Sequence, residues 1–268
     1  MINIRTALGK NPELEAEILL CYVLKKNRAY LFAHPEEMLS QQQFEAYQKV
    51  LEERAKGVPI AYITGERDFW SLNLKVNRHT LIPRHETELL VELALEHILD
   101  TTETYVLELG TGSGAIALAL AKEKPHWQII ACDISEGALS TAKENARDNK
   151  IQNVTFYHSD WFTNIPQRQY HAIVSNPPYI AEHDPHLQEG DLRFEPQSAL
   201  ASSQEGLADL QWIIKQSYDY LLPNGWLLLE HGYDQKHKVQ AILNELAYKN
   251  VQSWKDMQGH DRVSGGLR

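Results

Sequence analysis

The sequence has few cysteines and no long apolar run. Its 268 residues include only two cysteines, Cys21 and Cys132, and these lie far apart along the chain. This argues against a disulfide framework and against a cysteine-rich zinc site. Its longest apolar runs, such as Ile116 to Ala121, fall far short of the roughly 20 residues that a membrane-spanning helix needs. The N-terminal residues are too polar for a signal peptide, so we expect a cytoplasmic protein without a membrane partner.

Basic residues are also fewer than acidic ones. The formal net charge is −10, and residues 1–80 contain 11 Lys and Arg against 10 Asp and Glu, whereas residues 81–268 contain 15 against 26. Proteins that bind nucleic acid through its phosphates normally carry a basic patch. We therefore expect no large DNA- or RNA-binding surface. Hydrophobic residues make up 43% of the chain, which is ordinary for a globular protein with a packed core.

The first 57 residues have helical patterns and no convincing strand. Asn11 followed by Pro12 is a good N-cap and first-turn pair. Apolar residues then recur at helical spacing, at Leu14, Ile18, Cys21 and Leu24. Ser40 and Gln43 match a capping box at the start of a second amphipathic helix. A small helical bundle is predicted.

The pattern changes after residue 57. Residues 58–83 are richer in β-branched and aromatic side chains, which predicts a short hairpin or an extended linker. From residue 85 onward, strand patterns alternate with helical patterns, and this alternation predicts a parallel sheet covered by helices on both faces. We expect two domains: a helical domain with its hairpin linker over residues 1–75, and an α/β, Rossmann-like doubly wound domain over residues 76–268.

A glycine loop, in the segment VLELGTGSG, joins a predicted strand to a predicted helix. Gly110, Gly112 and Gly114 permit a tight turn and let backbone amides approach a ligand at a helix N-terminus. Asp133 ends the next strand, where a carboxylate can accept both hydrogens of a ribose diol. The glycine loop and Asp133 together suit a dinucleotide. When the acidic Glu108, two residues before Gly110, is counted as part of the motif, they suit S-adenosylmethionine (SAM). The alternative is a structural glycine turn with a capping aspartate, which binds no ligand.

Two further polar or aromatic residues follow the third strand of the α/β domain. Asp160 and Trp161 lie where ligands bind to open α/β sheets, and an acid beside a flat ring suits an adenine. A capping aspartate and a core tryptophan are an equally good interpretation.

The fourth strand ends in Asn176, Pro177, Pro178 and Tyr179. The side-chain oxygen of Asn176 and the carbonyl of Pro177 are two acceptors on a stiff turn, suited to both hydrogens of one NH₂ group. Tyr179 would pack against the flat group that carries this NH₂. Such acceptors orient the lone pair of a poorly nucleophilic nitrogen toward an electrophile. A hydride-transfer enzyme has no evident use for them, so the motif favours SAM over a nicotinamide dinucleotide.

Together these segments resemble a known family. ELGTGSG, Asp133, SDW, SNPPYI and LIPRHETELLVE are similar to the protein-(glutamine-N5) methyltransferases that modify translation release factors, called PrmC or HemK. The similarity covers nearly the whole chain, including PIAYITGERDF, RFEPQSALASSQEGL and DMQGHDRV. His85 is a departure, because the family usually has proline there.

The resemblance implies a class I SAM-dependent methyltransferase fold and a small helical domain that helps to dock the release factor. The implied reaction methylates the side-chain amide of the glutamine in the Gly-Gly-Gln motif of class-1 release factors and yields S-adenosylhomocysteine. The expected cofactor-binding residues are Gly110, Thr111, Gly112, Ser113, Gly114, Asp133, Trp161 and Asn176. The expected catalytic residues are Asn176, Pro177 and Tyr179. The expected substrate-binding residues are Asn176, Pro177, Pro178 and Tyr179.

Other expectations concern partners and alternatives. Residues 181–206 lack clear periodicity and are predicted to border the substrate entrance. His183 and His186 have no third ligand at metal-site spacing, so no metal is expected. We expect a monomer that does not bind nucleic acid directly. An N6-adenine-type nucleic-acid methyltransferase and a SAM-binding or nucleotide-binding module without catalysis are the alternatives.

Overall fold

The first compact unit is a bundle of short helices that ends at Gly65. The computed structural model describes residues 2–9, 13–101 and 103–268. The helices of this unit are α1 (Ile4–Leu8), α2 (Leu14–Leu24), α3 (Arg28–Ala33), α4 (Gln41–Ala55) and α5 (Ile60–Thr64). Their buried core consists of Ile4, Leu19, Leu20, Leu31, Leu39 and Tyr47. The predicted capping box of Ser40 and Gln43 is confirmed at the start of α4, whereas Asn11 and Pro12 lie outside the described residues.

The second compact unit begins at Glu66, ten residues before the boundary that the sequence predicted. It opens with an antiparallel hairpin of β1 (Glu66–Phe69) and β2 (Leu72–Lys75). Phe69 and Leu74 of this hairpin are buried in one hydrophobic cluster of the second unit. The hairpin therefore belongs to the α/β unit because its apolar face completes that core.

A seven-stranded sheet forms the centre of the described part of this unit, in the order β10-β11-β9-β6-β3-β4-β5. Its strands are β3 (Tyr105–Leu109), β4 (Gln128–Asp133), β5 (Val154–His158), β6 (Tyr170–Ser175), β9 (Leu221–Glu230), β10 (Lys249–Lys255) and β11 (Asp261–Leu267). Within this sheet, the strands β9, β6, β3, β4 and β5 are each parallel to their neighbours in that series. This confirms the predicted fold class. β11 runs antiparallel to both β9 and β10, an orientation that the strand patterns did not indicate.

Helices follow most of these strands. They are α6 (Glu88–His97), α7 (Ala115–Glu123), α8 (Glu136–Asp148), α10 (Ala208–Tyr220) and α11 (Lys236–Glu245), with the single turn α9 (Ser203–Gly206) before α10. Short 3₁₀ helices span His85–Thr87, Pro185–Gln188, Leu192–Phe194 and Gln197–Ala199. The two-residue strands β7 (Ile180–Ala181) and β8 (Ala201–Ser202) pair with each other. No helix in the described ranges is long and apolar enough to cross a membrane.

Alternate residues of the central strands supply two hydrophobic layers. Val106 of β3 and Leu228 of β9 pack in the hydrophobic cluster that contains the hairpin residues. Their neighbours Leu107 and Leu227 pack in a second cluster. Burial on both faces explains why these strands are continuously apolar in sequence. The parallel strands also bring their carboxyl ends to one edge of the sheet, where ligands bind in open α/β folds.

Candidate active site

The glycine loop turns sharply at the end of β3. The backbone N–H groups of Gly110 and Thr111 both donate to the Cys132 carbonyl at 2.9 Å. Gly110, Gly112 and Gly114 have φ values of 73°, 56° and 86°, in the left-handed region that glycine tolerates best. A Cβ on Gly114 would lie 3.0 Å from the Leu118 side chain. Glycine at 114 thus serves both the turn and the packing of α7.

Asp133 ties this loop to the end of β4. One carboxylate oxygen accepts from the Gly112 N–H and the other from the Ser135 N–H, both at 2.8 Å. Ser135 in turn caps α8 by accepting from the Ala138 N–H at 3.2 Å. Burial raises the pKa of Asp133. Each carboxylate oxygen keeps acceptor capacity for a further donor, such as a ribose hydroxyl.

Glu108 lies behind the glycine loop. Its side chain is buried, and one carboxylate oxygen accepts from the Thr111 hydroxyl at 2.6 Å and from the Ala117 N–H at 3.0 Å. Burial raises the pKa of Glu108 to about 7, although these two hydrogen bonds oppose the shift. Glu108 therefore supports the loop from within the protein rather than facing a ligand.

Glu108→Gln should make the ligand-free protein more stable than wild type by about 2 kcal/mol at pH 8 and by much less at pH 5. A carboxyl whose pKa rises from 4.5 to about 7 on folding lowers stability as the pH increases through that window, and its full cost is present above it. Glutamine avoids this cost and still offers an oxygen to Thr111. Urea unfolding at both pH values measures the difference, with exposed Glu182→Gln as the control; an equal difference at both pH values would contradict the assignment.

A cavity of about 250 Å³ opens along the carboxyl edge of the sheet. Five of the eight predicted cofactor residues line it: Gly110, Gly112, Asp133, Trp161 and Asn176. The Trp161 ring covers the loop, because a Cβ on Gly110 would lie 3.5 Å from it. Thr111, Ser113 and Gly114 do not line the cavity; the Thr111 hydroxyl bonds Glu108, and the Ser113 carbonyl accepts from Asn145 at 2.9 Å.

Other residues line this cavity without having been predicted as site residues. They are His79, Leu81, Ile134, Ser135, Ser159, Asp160, Pro196, Ser198, Ala199 and Asp209. Asp160 is the residue that the sequence suggests as an adenine contact or a cap, and Pro196, Ser198 and Ala199 fall in the segment predicted to border the substrate entrance. His79 and Leu81 precede β3. Leu81 begins the segment LIPRHETELLVE, whereas His79 lies in no pattern that would have identified it.

A second cavity of about 70 Å³ adjoins the first. It is lined by Leu81, Arg84, Asn176, Pro177, Tyr179, Ile180, Leu192, Ala199 and Leu200. Leu81, Asn176 and Ala199 line both cavities, so the two spaces adjoin along these three residues, of which Asn176 has the polar side chain. Pro178, predicted to bind substrate, lines the larger cavity instead.

Two acceptors are available where the cavities meet. The Asn176 side-chain nitrogen donates to the Thr87 hydroxyl oxygen at 3.2 Å, which leaves the side-chain oxygen as an acceptor. No donor in residues 2–9, 13–101 or 103–268 bonds the main-chain oxygen of Pro177. These are the two oxygens that the sequence predicted to accept from one NH₂ group, and that role stays a prediction.

Tyr179 is held at both ends. Its hydroxyl donates to the Glu230 carboxylate at 3.1 Å, and its main-chain oxygen accepts from the Gln235 side chain at 2.9 Å. Burial and the nearby Glu230 carboxyl raise the pKa of Tyr179. Gly206 packs so closely that a Cβ there would lie within 3.0 Å of the Tyr179 carbonyl oxygen. Sequence reasoning missed these partners because they come from distant parts of the chain.

The segment 181–206 contributes walls to both cavities and is anchored by a buried acid. Glu195 accepts from the Ile82 N–H at 2.9 Å and forms an ion pair with Arg84. The neighbouring His85, which replaces the usual family proline, is exposed, with its ring 3.3 Å from the Glu88 carboxylate. His186 bonds Asp184 at 2.7 Å, and the described residues contain no group of three potential metal ligands.

Comparison with known proteins identifies the family. A family model described as the PrmC N-terminal domain matches residues 4–65, and one described as the methyltransferase small domain matches residues 85–191. A release factor glutamine methyltransferase of Shewanella oneidensis is 51% identical over 260 residues, covering 97% of this chain and 91% of that protein. A protein of the same name from Coxiella burnetii is 48% identical over 258 residues, covering 96% and 92%.

The chain belongs to the release factor glutamine methyltransferase family. This assignment confirms the resemblance inferred from the motifs and sets aside the dehydrogenase alternative. A solved structure of a methyltransferase from Pyrococcus furiosus superposes with a TM-score of 0.54 at 16% identity, covering 82% of this chain and 96% of that one. At this identity the match supports the methyltransferase fold of this chain, but not a particular substrate or activity.

Proposed function

We propose that this protein transfers a methyl group from SAM to the side-chain amide nitrogen of the Gly-Gly-Gln glutamine in class-1 release factors. One observation carries the proposal: a larger cavity beside a glycine loop meets a smaller one at Asn176. The named function of relatives at 45–51% identity supports it. The geometry suits a reaction in which two ligands meet at a single polar side chain.

The residues around the larger cavity fit SAM. A Cβ on Gly112 would meet nothing within 4 Å, so a ligand can approach this backbone closely. Asp133 has spare acceptor capacity for a ribose, and Trp161 offers a flat face for a base. SAM, when bound, supplies an electrophilic methyl group. We assign Gly110, Gly112, Asp133, Trp161 and Asn176 to this cofactor.

The smaller cavity fits the end of a glutamine side chain. Leu81, Ile180 and Leu192 provide apolar walls for an aliphatic stem. The Asn176 side-chain oxygen and the Pro177 carbonyl oxygen each accept a hydrogen bond from one N–H of the substrate amide. Holding both hydrogens orients the nitrogen lone pair and favours the loss of one proton once the nitrogen is alkylated. Positioning and electrostatics therefore replace a strong base.

The acidic α/β unit supports a protein substrate over a nucleic acid. Residues 81–268 carry 26 Asp and Glu against 15 Lys and Arg, which disfavours binding to a phosphate backbone. The first unit exposes large apolar side chains, at Leu14, Tyr22, Phe32 and Met38. These support a docking role for the N-terminal region. That the enzyme is a cytoplasmic monomer is part of the same proposal.

A labelling assay tests the proposed function. The protein is incubated with methyl-labelled SAM and, separately, with a class-1 release factor, its Gly-Gly-Gln glutamine-to-alanine variant, DNA and RNA. We expect label on the release factor alone, together with SAM binding by calorimetry in the absence of any acceptor. Label on nucleic acid, or on the alanine variant, would overturn the proposal. SAM binding without label on any acceptor would instead indicate a binding module.

A further inference from the structure

The buried side chain of Gln235 joins the Asn-Pro-Pro-Tyr turn to two other segments. Gln235 directly precedes α11 and is 6% exposed. Its side-chain nitrogen donates to the Tyr179 main-chain oxygen at 2.9 Å, and its side-chain oxygen accepts from the Gly232 N–H at 2.9 Å. The same nitrogen lies 3.4 Å from the main-chain oxygens of Glu205 and Gly206. Both ends of this amide are therefore used within the protein.

One of the joined segments has an unusual backbone. Gln204, Glu205 and Gly206 are three consecutive residues with positive φ, at 54°, 57° and 80°. The left-handed region is unfavourable for residues other than glycine, so consecutive residues stay in it only where their surroundings hold them. The Gln235 side-chain nitrogen is close to two of the three main-chain oxygens of this left-handed turn. It is therefore placed to hold the left-handed turn against Tyr179.

A neutral amide suits the neighbours of position 235. A glutamine side chain has two N–H donors at one end and an acceptor oxygen at the other. The Gly232 N–H needs an acceptor, whereas the carbonyls of Tyr179, Glu205 and Gly206 need donors. A carboxylate would place negative charge against these carbonyl oxygens. An apolar side chain would leave the Tyr179 oxygen and the Gly232 N–H without this partner, which is unfavourable for buried groups.

We propose that Gln235 is a positioning residue for methyl transfer, because its amide fixes the Tyr179 main chain against the left-handed turn and so keeps the substrate-binding turn in place. Tyr179 follows Asn176 by three residues, and the two between them are prolines. Proline has a fixed φ, so a displacement of Tyr179 is passed on to Pro177 and Asn176. Gln235 lines neither cavity, so it acts through Tyr179. This inference rests on the proposed function, because it assigns how the residues that bind the glutamine amide are held.

The first test is Gln235→Met, with release factor methylation measured on the whole chain. Methionine has nearly the length and volume of glutamine but can make neither of its hydrogen bonds, so packing is kept and the two bonds are lost. We expect kcat to fall by about 100-fold, because a displacement of about 1 Å at the reacting groups has an effect of that size. The affinity for SAM, measured by calorimetry, should change only slightly. Wild-type kcat in Gln235→Met would overturn the inference.

Tyr248→Phe is the matched control for lost stability. The Tyr248 hydroxyl donates to the Ile214 main-chain oxygen at 2.8 Å, and Tyr248 is buried and lines neither cavity. Gln235→Met and Tyr248→Phe each remove a buried hydrogen bond to a carbonyl, so both should lower the melting temperature by a few degrees. Tyr248→Phe should nevertheless keep wild-type kcat. Equal losses of kcat in the two variants would show that kcat follows stability alone and would overturn the inference.

Gln235→Glu gives a readout that a loss of packing cannot imitate. As a carboxylate, the new side chain would repel the facing carbonyl oxygens. As a neutral acid, it has one O–H to donate to Tyr179 and an oxygen that can accept from the Gly232 N–H. Because burial raises the pKa of a carboxyl, protonation is reached at mildly acidic pH. The ratio of kcat in this variant to wild-type kcat should therefore rise about ten-fold between about pH 8 and about pH 5.5.

The ratio to wild type removes the titration of other groups. The titratable or charged residues around position 235 are Glu205, Glu230, His231, Asp234, Lys236 and Lys238, and all of them are present in both proteins. Gln235→Met should show the same ratio at every pH. A constant ratio for Gln235→Glu would overturn the inference and leave the proposed function intact. Failure of the wild-type protein to label any release factor would overturn both.

Discussion

Asn176→Ala should lower kcat for release factor methylation by about 1,000-fold and change the affinity for SAM only a few-fold. The substitution removes one of the two acceptors that hold the substrate amide, and the loss of one such group at a reacting centre costs about 100- to 1,000-fold. It also removes the hydrogen bond that the Asn176 side chain donates to the Thr87 hydroxyl in the wild-type protein. Stopped reactions with labelled SAM give kcat, and calorimetry gives the SAM affinity.

Asn73→Ala is the matched control for this substitution. Asn73 lies on the β2 strand of the hairpin, and its side-chain nitrogen bonds Asp68 at 2.9 Å, away from both cavities. Its kcat should stay within about two-fold of wild type, since surface substitutions of this kind have small effects. If Asn176→Ala lost SAM affinity and kept its turnover at saturating SAM, Asn176 would serve the cofactor alone and the assigned substrate role would be wrong.

The glycine loop and the Asn-Pro-Pro-Tyr turn could be predicted because each is a short pattern with its own physical meaning. Positive φ at Gly110 and Gly112 and the stiff turn at Pro177 depend on adjacent residues. Parallel strands then bring both segments to the same edge of the sheet. The meeting of two cavities at Asn176 follows from this geometry. That Asp133 binds a ribose stays a prediction.

The residues that support the turn could not be predicted in the same way. Thr87, Gln235 and Gly206 lie 89, 56 and 27 positions from the residues they contact in the turn. Their sequence neighbourhoods suggest only a helix start, a loop and a glycine. The two compact units divide ten residues before the predicted boundary for a related reason. The apolar face of the hairpin gives no sign, in sequence, of which core it will join.

Two buried acids show that this site is not arranged for maximal stability. Burial raises the pKa of both Glu108 and Glu230 to about 7. Each would cost less folding free energy as a neutral residue at physiological pH. Glu108 holds the glycine loop and Glu230 faces Tyr179. Both support segments of the active site, which is where proteins commonly accept such a cost.

Gly206→Ala should destabilise the protein by about 3 kcal/mol or more and lower kcat by at least about 100-fold. Gly206 has φ +80°, and an added Cβ would lie within 3.0 Å of the Tyr179 carbonyl oxygen, a main-chain atom. That oxygen is already bonded to Gln235 at 2.9 Å. Relieving the clash must shift the turn that carries Pro177 and Tyr179. Urea unfolding and methylation kinetics measure the two effects.

Gly259→Ala separates this clash from the backbone cost of alanine at positive φ. Gly259 has φ +85°, almost the same as Gly206, but a Cβ there would meet nothing within 4 Å. This variant should lose only about 1 kcal/mol and keep wild-type kcat. Equal losses of stability in the two variants would mean that the left-handed backbone alone accounts for the need for glycine. A larger loss at Gly206, together with reduced kcat, would show that close packing against Tyr179 holds the substrate turn in place.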